Sequence, residues 1–159
     1  MKKKSLMAMA AMVFVFGMNS CGSNDEPPVP ETPLANQVAG SYTGTETLTV
    51  MEEEEESSET FVFSKATDAT VDVTLPEYGE GMMTIPALPV KGIRLSKEDK
   101  QIIGNLDKYE GTTESGKSYT ISNIGVVFGE NTVVMTFTQK YGNMPFEFKG
   151  LFLGAKSLK

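Results

Sequence analysis

Apolar residues in this chain recur every second position over long stretches, not every third or fourth. Leu48 and Val50 alternate with Thr47 and Thr49; Val71, Val73 and Leu75 alternate with Asp72 and Thr74. Tyr119 and Ile121 stand among Ser118, Thr120 and Ser122. Val133, Met135 and Phe137 share one phase, with Thr136 and Thr138 in the other. Near the end, Phe146, Phe148 and Phe152 alternate with Glu147, Lys149 and Leu151. A period of two puts successive side chains on opposite faces of an extended strand, so each segment has one apolar and one polar face. Such strands require a shared interior, which restricts the fold to a sandwich or a barrel.

Turn formers separate these runs: Pro76-Glu77-Tyr78-Gly79, Gly129-Glu130-Asn131 and Tyr141-Gly142-Asn143. Weaker segments around Phe61–Phe63, Met83–Pro86, Val90–Leu95 and Tyr109–Thr112 bring the expected total to eight or nine strands. The one helical candidate is Ser96–Ile103, where Ser96-Lys97-Glu98-Asp99 has the spacing of a capping box. Pro86 and Pro89 lack the amide that a central strand donates, so Gly81–Val90 is expected as an edge or a loop. It could form an apolar contact surface, the lip of a pocket or a plug. Short antiparallel connections favour an all-β, up-and-down barrel of about eight strands. The polar Thr, Glu and Lys phase of each strand argues against a barrel that spans lipid.

The start of the chain sets its compartment. Lys2, Lys3 and Lys4 precede an uncharged apolar run from Leu6 to Met18. That run is shorter than the roughly 20 residues a spanning helix needs and has the form of an export signal. It ends in Met18-Asn19-Ser20-Cys21, which resembles a lipobox, with Cys21 as the expected lipidation site after removal of residues 1–20. Lipid on Cys21 would anchor the protein to a membrane, multiple acyl chains holding more firmly than one. Residues 21–36 read as a tether, with acids and with Pro27, Pro28, Pro30 and Pro33. Within it, Ser23-Asn24-Asp25-Glu26 resembles the acidic signal that sends some lipoproteins to the outer face of the outer membrane, and it equally fits a solvated linker. Residues 37–159 form the domain, enough for one core and too few for two.

Composition excludes several chemistries. Loss of residues 1–20 removes three lysines and no acid, leaving 11 basic and 21 acidic residues and a net charge of −10. A surface of that sign repels phosphate backbones, so nucleic acid is not an expected partner. Cys21 is the only cysteine and there is no histidine, which removes thiol and Ser-His-Asp catalysis and histidine-ligated zinc. No metal, cofactor or catalytic residue is expected.

Two local features invite a sharper reading. Gly111-Thr112-Thr113-Glu114-Ser115-Gly116-Lys117-Ser118 matches the phosphate-binding P-loop letter for letter. That motif acts by presenting amides at the start of a helix, whereas the β-rich Tyr119-Thr120-Ile121-Ser122-Asn123 follows here. A hairpin tip is the expectation. Glu52–Glu56 are five consecutive glutamates whose carboxylates would alternate faces on a strand, without the Asp, Asn and Gly spacing of a calcium loop. They read as a solvated hairpin end, with weak divalent binding or capture of a basic partner as the other option. Glu46, Asp72 and Glu147 are available for paired-carboxylate chemistry, but no separation follows from the sequence.

Val38-Ala39-Gly40-Ser41-Tyr42-Thr43-Gly44-Thr45, the Ala69–Pro76 strand and the closing Met144-Pro145-Phe146 strand resemble the calycin-like β-barrel lipoproteins. The likeness runs from about Gln37 to Phe152 and implies a lipocalin-like barrel. It departs from true lipocalins at the first strand, where Gly40-Ser41-Tyr42 replaces their Gly-x-Trp; the chain has no tryptophan. Its members mostly have no known function.

Two roles follow as expectations. One is a binding module that takes an apolar small molecule into the barrel, lined by Tyr42, Phe61, Phe63, Phe137, Phe146 and Phe148; these same rings could simply fill the core. The other is a non-catalytic accessory or structural protein that contacts another envelope protein. Both place the protein in the cell envelope, lipid-anchored at the outer membrane, with exposure at the surface as an open option.

Overall fold

The computed structural model describes residues 31–158. The expected export segment, Cys21 and the tether as far as Pro30 lie outside the described residues.

A short helix, α1 (Leu34–Val38), precedes eight strands: β1 (Gly40–Val50), β2 (Glu53–Thr67), β3 (Thr70–Leu75), β4 (Leu88–Glu98), β5 (Gln101–Thr112), β6 (Ser118–Phe128), β7 (Thr132–Tyr141) and β8 (Phe148–Lys156). Each strand pairs antiparallel with the next, and β8 returns to β1, so the sheet closes. Closure removes the two end strands that an open sheet must protect, leaving unpaired backbone only where adjacent strands stop short of one another. The expected all-β, antiparallel barrel of about eight strands is therefore the fold.

The alternation in the sequence sets the inner face. On β7, Val133, Met135, Phe137, Gln139 and Tyr141 point inward and are buried. Phe61 and Phe152 stack face to face across the interior, 4.0 Å apart and 5° from parallel. Phe63 meets Tyr42 and Phe128 edge-on at 5.6 and 5.0 Å. Each buried ring contributes about 1.5–3 kcal/mol, and edge or offset contacts add to that. Two glycines make room for rings: a Cβ on Gly150 would lie 2.2 Å from the Phe137 ring, and one on Gly111 2.5 Å from that of Tyr119. Both rings lie directly across the ladder from the glycine they cover. Thr43, Thr45, Glu54, Glu56, Ser58 and Thr60 are exposed on the outside. This apolar-in, polar-out arrangement is the reverse of a lipid-spanning barrel.

The two ends differ. At the first, α1 packs over the interior through Ala35 and Val38, and Tyr42 donates its hydroxyl to the Val38 carbonyl at 2.9 Å. The expected tether therefore gives way to folded chain earlier than residue 37: Ala35 and Val38, one helical turn apart, supply an apolar face that the mouth can bury.

At the far end the wall is incomplete in two places. β2 pairs with β3 only from Phe63 onward, leaving Glu53 to Val62 bonded to β1 alone. β4 pairs with β5 only from Arg94, so Leu88 to Ile93 are bonded to β3 alone. That second gap accommodates Pro89, which pairs with Thr74 on one side and needs no donor on the other. Its carbonyl accepts the Tyr119 hydroxyl at 2.7 Å.

Several sequence expectations are corrected. Ser96–Ile103 is not helical: it is the β4–β5 hairpin, with Asp99 at φ 56° in its turn and Glu98 paired with Gln101. Burial of Ile93, Leu95, Ile102 and Gly104 on one face outweighs a local capping pattern. Met83–Pro86 is not a strand but a 3₁₀ turn (Gly81–Met83) followed by a single bridge between Tyr78 and Ile85. Gly81–Val90 is, as expected, loop and edge: Gly81–Ala87 is the loop, and Leu88–Val90 opens β4 paired with β3 alone. Phe146 precedes β8 and is not in it.

Candidate functional site

Three connections meet at the end opposite α1: the β1–β2 turn, the β3–β4 loop and the β7–β8 loop. The first is a two-residue hairpin in which Met51 and Glu52 both have positive φ, 50° and 70°. The right-handed twist of the flanking strands selects this geometry, although neither residue favours it. It holds Met51 at the mouth, 74% exposed. In the second, Tyr78 and Ile85 exchange backbone hydrogen bonds of 2.9 and 2.7 Å, and Ile85 is buried beneath the loop. Gly79 has φ 95°, and a Cβ there would meet the Met83 carbonyl oxygen at 2.3 Å, so only glycine fits.

These connections enclose two adjoining recesses. One, about 300 Å³, is lined by Val50, Met51, Tyr78, Gly79, Met83, Met144, Phe146 and Phe148. Its floor is aromatic: Phe148 packs edge-on against Phe146 and against Tyr78, each at 5.5 Å. Its rim is methionine, a flexible and polarisable side chain suited to ligands of varied shape. The other recess, about 360 Å³, is lined by Glu55, Ser57, Glu59, Glu77, Tyr78, Gly79 and Glu80. It lies where β2 runs free of β3, so the inner face of β2 is open to water there.

Tyr78 and Gly79 belong to both recesses. The Tyr78 hydroxyl donates to Glu55 Oε1 at 2.7 Å, which pushes the phenol up to about 12. Behind the acidic recess stands Glu46, in phase with Tyr42 and Leu48 on the inner face of β1 and only 2% exposed. It lies directly across the ladder from Ser57, with Phe152 on its other side. Burial, with Glu59 as a second cause, raises its carboxyl to about 7. Glu46 Oε1 has no hydrogen-bond partner among the described residues. A buried carboxyl left unsatisfied is costly and is held protonated more readily than one in water.

The expected lining residues separate into two groups. Tyr42, Phe61, Phe63 and Phe137 are packed within the barrel, in contact with other rings or a facing glycine. Phe146 and Phe148 reach the apolar recess, the first half-buried and the second buried. Val50, Met51, Tyr78, Met83 and Met144 were not among the expected residues. Tyr78 lies in an expected turn, and Met83 in the segment expected as a contact surface, a lip or a plug, but no periodicity marks a loop as part of a site.

The other motifs settle into the scaffold. Gly111–Ser118 is the end of β5, a turn and the start of β6. Its amides are occupied internally: Gly116 N–H donates to the Thr113 carbonyl and Lys117 N–H to Thr113 Oγ1. Glu53–Glu56 are exposed on β2, opposite Thr47 to Val50. Asp72 accepts the Gly92 amide at 2.9 Å beside the β3–β4 register shift, and Glu147 is exposed before β8. Among the described residues, no group of three or more Asp, Glu, His or Cys is placed to hold a metal ion.

No family model matches the chain, and no curated protein matches it. Among solved structures it is similar to a protein of Bacteroides fragilis NCTC 9343, provisionally named an outer membrane protein. The TM-score is 0.67 at 18% identity, over 80% of this chain and 54% of that one. The likeness is one of fold, and this chain spans about half the length of that protein.

Proposed function

We propose that this protein is a lipid-anchored, non-catalytic binding protein of the bacterial envelope, and that it takes a ligand with an apolar body at the barrel end opposite α1. One observation carries the reading. The interior of the barrel is filled by its own rings, while Phe146, Phe148 and Tyr78 form an aromatic floor that opens to solvent under a methionine rim. Concave, mostly apolar sites with a few polar groups at one side are the usual form of a small-molecule site. The ligand thus sits at the mouth and not within a deep calycin cavity.

The basic start, the short apolar run and Ser20-Cys21 support export and lipidation. The provisional name of the Bacteroides fragilis neighbour agrees with an outer-membrane address. The described chain begins at the α1 end of the barrel, opposite the recess. Glu46, the carboxyl with the most altered acidity, is sealed beneath the wall and does not reach a substrate, which favours binding over catalysis.

A second reading, contact with another envelope protein, is favoured by one outer patch. Val134, Leu151 and Leu153 are 38–51% exposed on neighbouring positions of β7 and β8. Three side chains make a small patch, and the recess is the better-formed feature.

Native mass spectrometry of the protein released gently from its own envelope tests the proposal. A reproducible adduct beyond the lipid on Cys21, absent from a Phe146→Asp variant, is the expected result. A bare protein, or an adduct indifferent to Phe146, overturns it.

A further inference from the structure

Two different recesses share a wall at the open end, and the shared wall is Tyr78 with Gly79. On one side of Tyr78 are Phe146 and Phe148. On the other are Glu55, Ser57 and Glu59, with basic side chains absent from the lining of either recess. We propose that the ligand is an amphipathic cation, whose apolar body lies in the Phe146–Phe148 recess and whose ammonium or guanidinium group reaches past Tyr78 to Glu55 and Glu59. The inference rests on the reading of the apolar recess as a binding site.

Acidic side chains on a strand are commonly no more than a solvated face. Three observations separate this group from that case. First, Glu55 and Glu59 are on the inner face of β2, the phase that carries Phe61 and Phe63, and are accessible only because β3 stops short of them. Second, Glu46 stands behind them, 98% buried by its 2% exposure, with a carboxylate oxygen that no described residue satisfies. Its ladder partner is Ser57 and its diagonal neighbours are Glu55 and Glu59, about 7–8 Å away in a regular sheet. An arriving positive charge would meet Glu55 and Glu59 in the recess, with the Glu46 carboxyl close behind them. Third, Tyr78 is held by its hydroxyl to Glu55, which keeps its ring between the acids and the aromatic floor. Carboxylates beside aromatic rings are a general solution for cations, combining ion pairing with attraction to the ring face.

The same features disfavour other ligands. A fatty-acid or phospholipid phosphate head would be repelled by the glutamates, and a neutral lipid would leave them unused. The distance from recess to recess is one side chain, Tyr78, so tail and head must be directly linked.

The test uses the full chain carrying Cys21→Ser, so that no lipid anchor competes, and three probes with one decyl tail: decyltrimethylammonium, decyl maltoside and decyl sulfate, each below its micelle concentration. By calorimetry the cation is expected to bind at least about tenfold more tightly than the maltoside, with the sulfate weakest. In a Glu55→Gln, Glu59→Gln double variant, the preference is expected to fall to about twofold or less. Both residues are at the surface of the recess, and an unchanged melting profile would verify that the variant folds. Equal binding of all three probes overturns the charge inference and leaves the apolar site standing. A preference that survives in the double variant also overturns it, assigning the effect to the overall negative charge. No binding of any probe overturns the apolar site and this inference together.

Discussion

Tyr78 donates a 2.7 Å hydrogen bond to Glu55, joining the β3–β4 loop to the half of β2 that has no β3 beside it. The contact closes by one side chain a wall that backbone pairing leaves open. The bond, together with burial, raises the phenol to about 12. In the fold the proton is held more tightly than in the unfolded chain, so this contribution is present below pH 10 and is lost between about 10 and 12. The Tyr78 ring-carbon NMR shift should remain that of a neutral phenol at pH 10.5, where an ordinary tyrosine is mostly ionised. Tyr78→Phe should cost about 1 kcal/mol and speed amide exchange in Glu53–Thr60.

Glu46 makes the barrel sensitive to pH in a second range. Its carboxyl is raised from 4.5 to about 7, so the folded state binds a proton that the unfolded chain releases. The Glu46 contribution is therefore fully present on the acid side, falls as pH rises from about 4.5, and is lost above about 7, a difference of about 3 kcal/mol. The groups facing Glu46 are Glu55 and Glu59 from β2 and Tyr78 from the loop, while β8 offers Phe152. None supplies a positive charge. Glu46→Gln should flatten the stability profile between pH 5 and 8 and raise stability at pH 8, measured by urea denaturation. If a cation docks beside it, Glu46 should lose its proton, so decyltrimethylammonium binding at pH 6.5 should release protons. Calorimetry in buffers of different ionisation enthalpy would measure that release.

The Met51–Glu52 turn carries local backbone cost. Both residues have positive φ, a region where an L side chain costs about 1–2 kcal/mol and glycine costs little. Glu52→Gly should stabilise the protein by about 1 kcal/mol while leaving Met51 at the recess. Chemical denaturation would check the sign, and unchanged probe binding would show that the mouth is intact.

Gly150 tests the packing of the interior. A methyl group there would lie 2.2 Å from the Phe137 ring, directly across the ladder. Gly150→Ala should destabilise by about 1–3 kcal/mol, and Phe137→Leu in that background should recover part of the loss. A neutral Gly150→Ala would mean that the ring has room to move and that the interior is looser than described.

The barrel was legible because its strands repeat with period two, and an inner face of Val71, Val73 and Leu75 or Val133, Met135 and Phe137 is written into that period. Glu46 could have been found in the same way, since it occupies the phase of Tyr42 and Leu48 on β1. The β4–β5 hairpin was hidden because Ser96–Asp99 imitates a helix cap, a local preference that the ladder from Arg94 to Asn105 overrides. The recess was only half visible. Phe146 and Phe148 stand out as alternating aromatics, but Met51, Met83 and Met144 come from three separate connections. Loops have no period, and their convergence depends on closure of β8 onto β1, which pairs residues about a hundred positions apart.

The central claim is that ligand binds at the mouth and not within the barrel, and the methionines report on it most directly. Met51, Met83 and Met144 line the recess, Met82 is fully exposed outside its lining, and Met135 is fully buried inside. With methyl-labelled methionine, titration of decyltrimethylammonium should shift the NMR signals of Met51, Met83 and Met144 in parallel and leave Met135 in place. A shift at Met135 without those three would put the ligand inside the barrel and contradict the account, and a spectrum without any change would remove the site altogether.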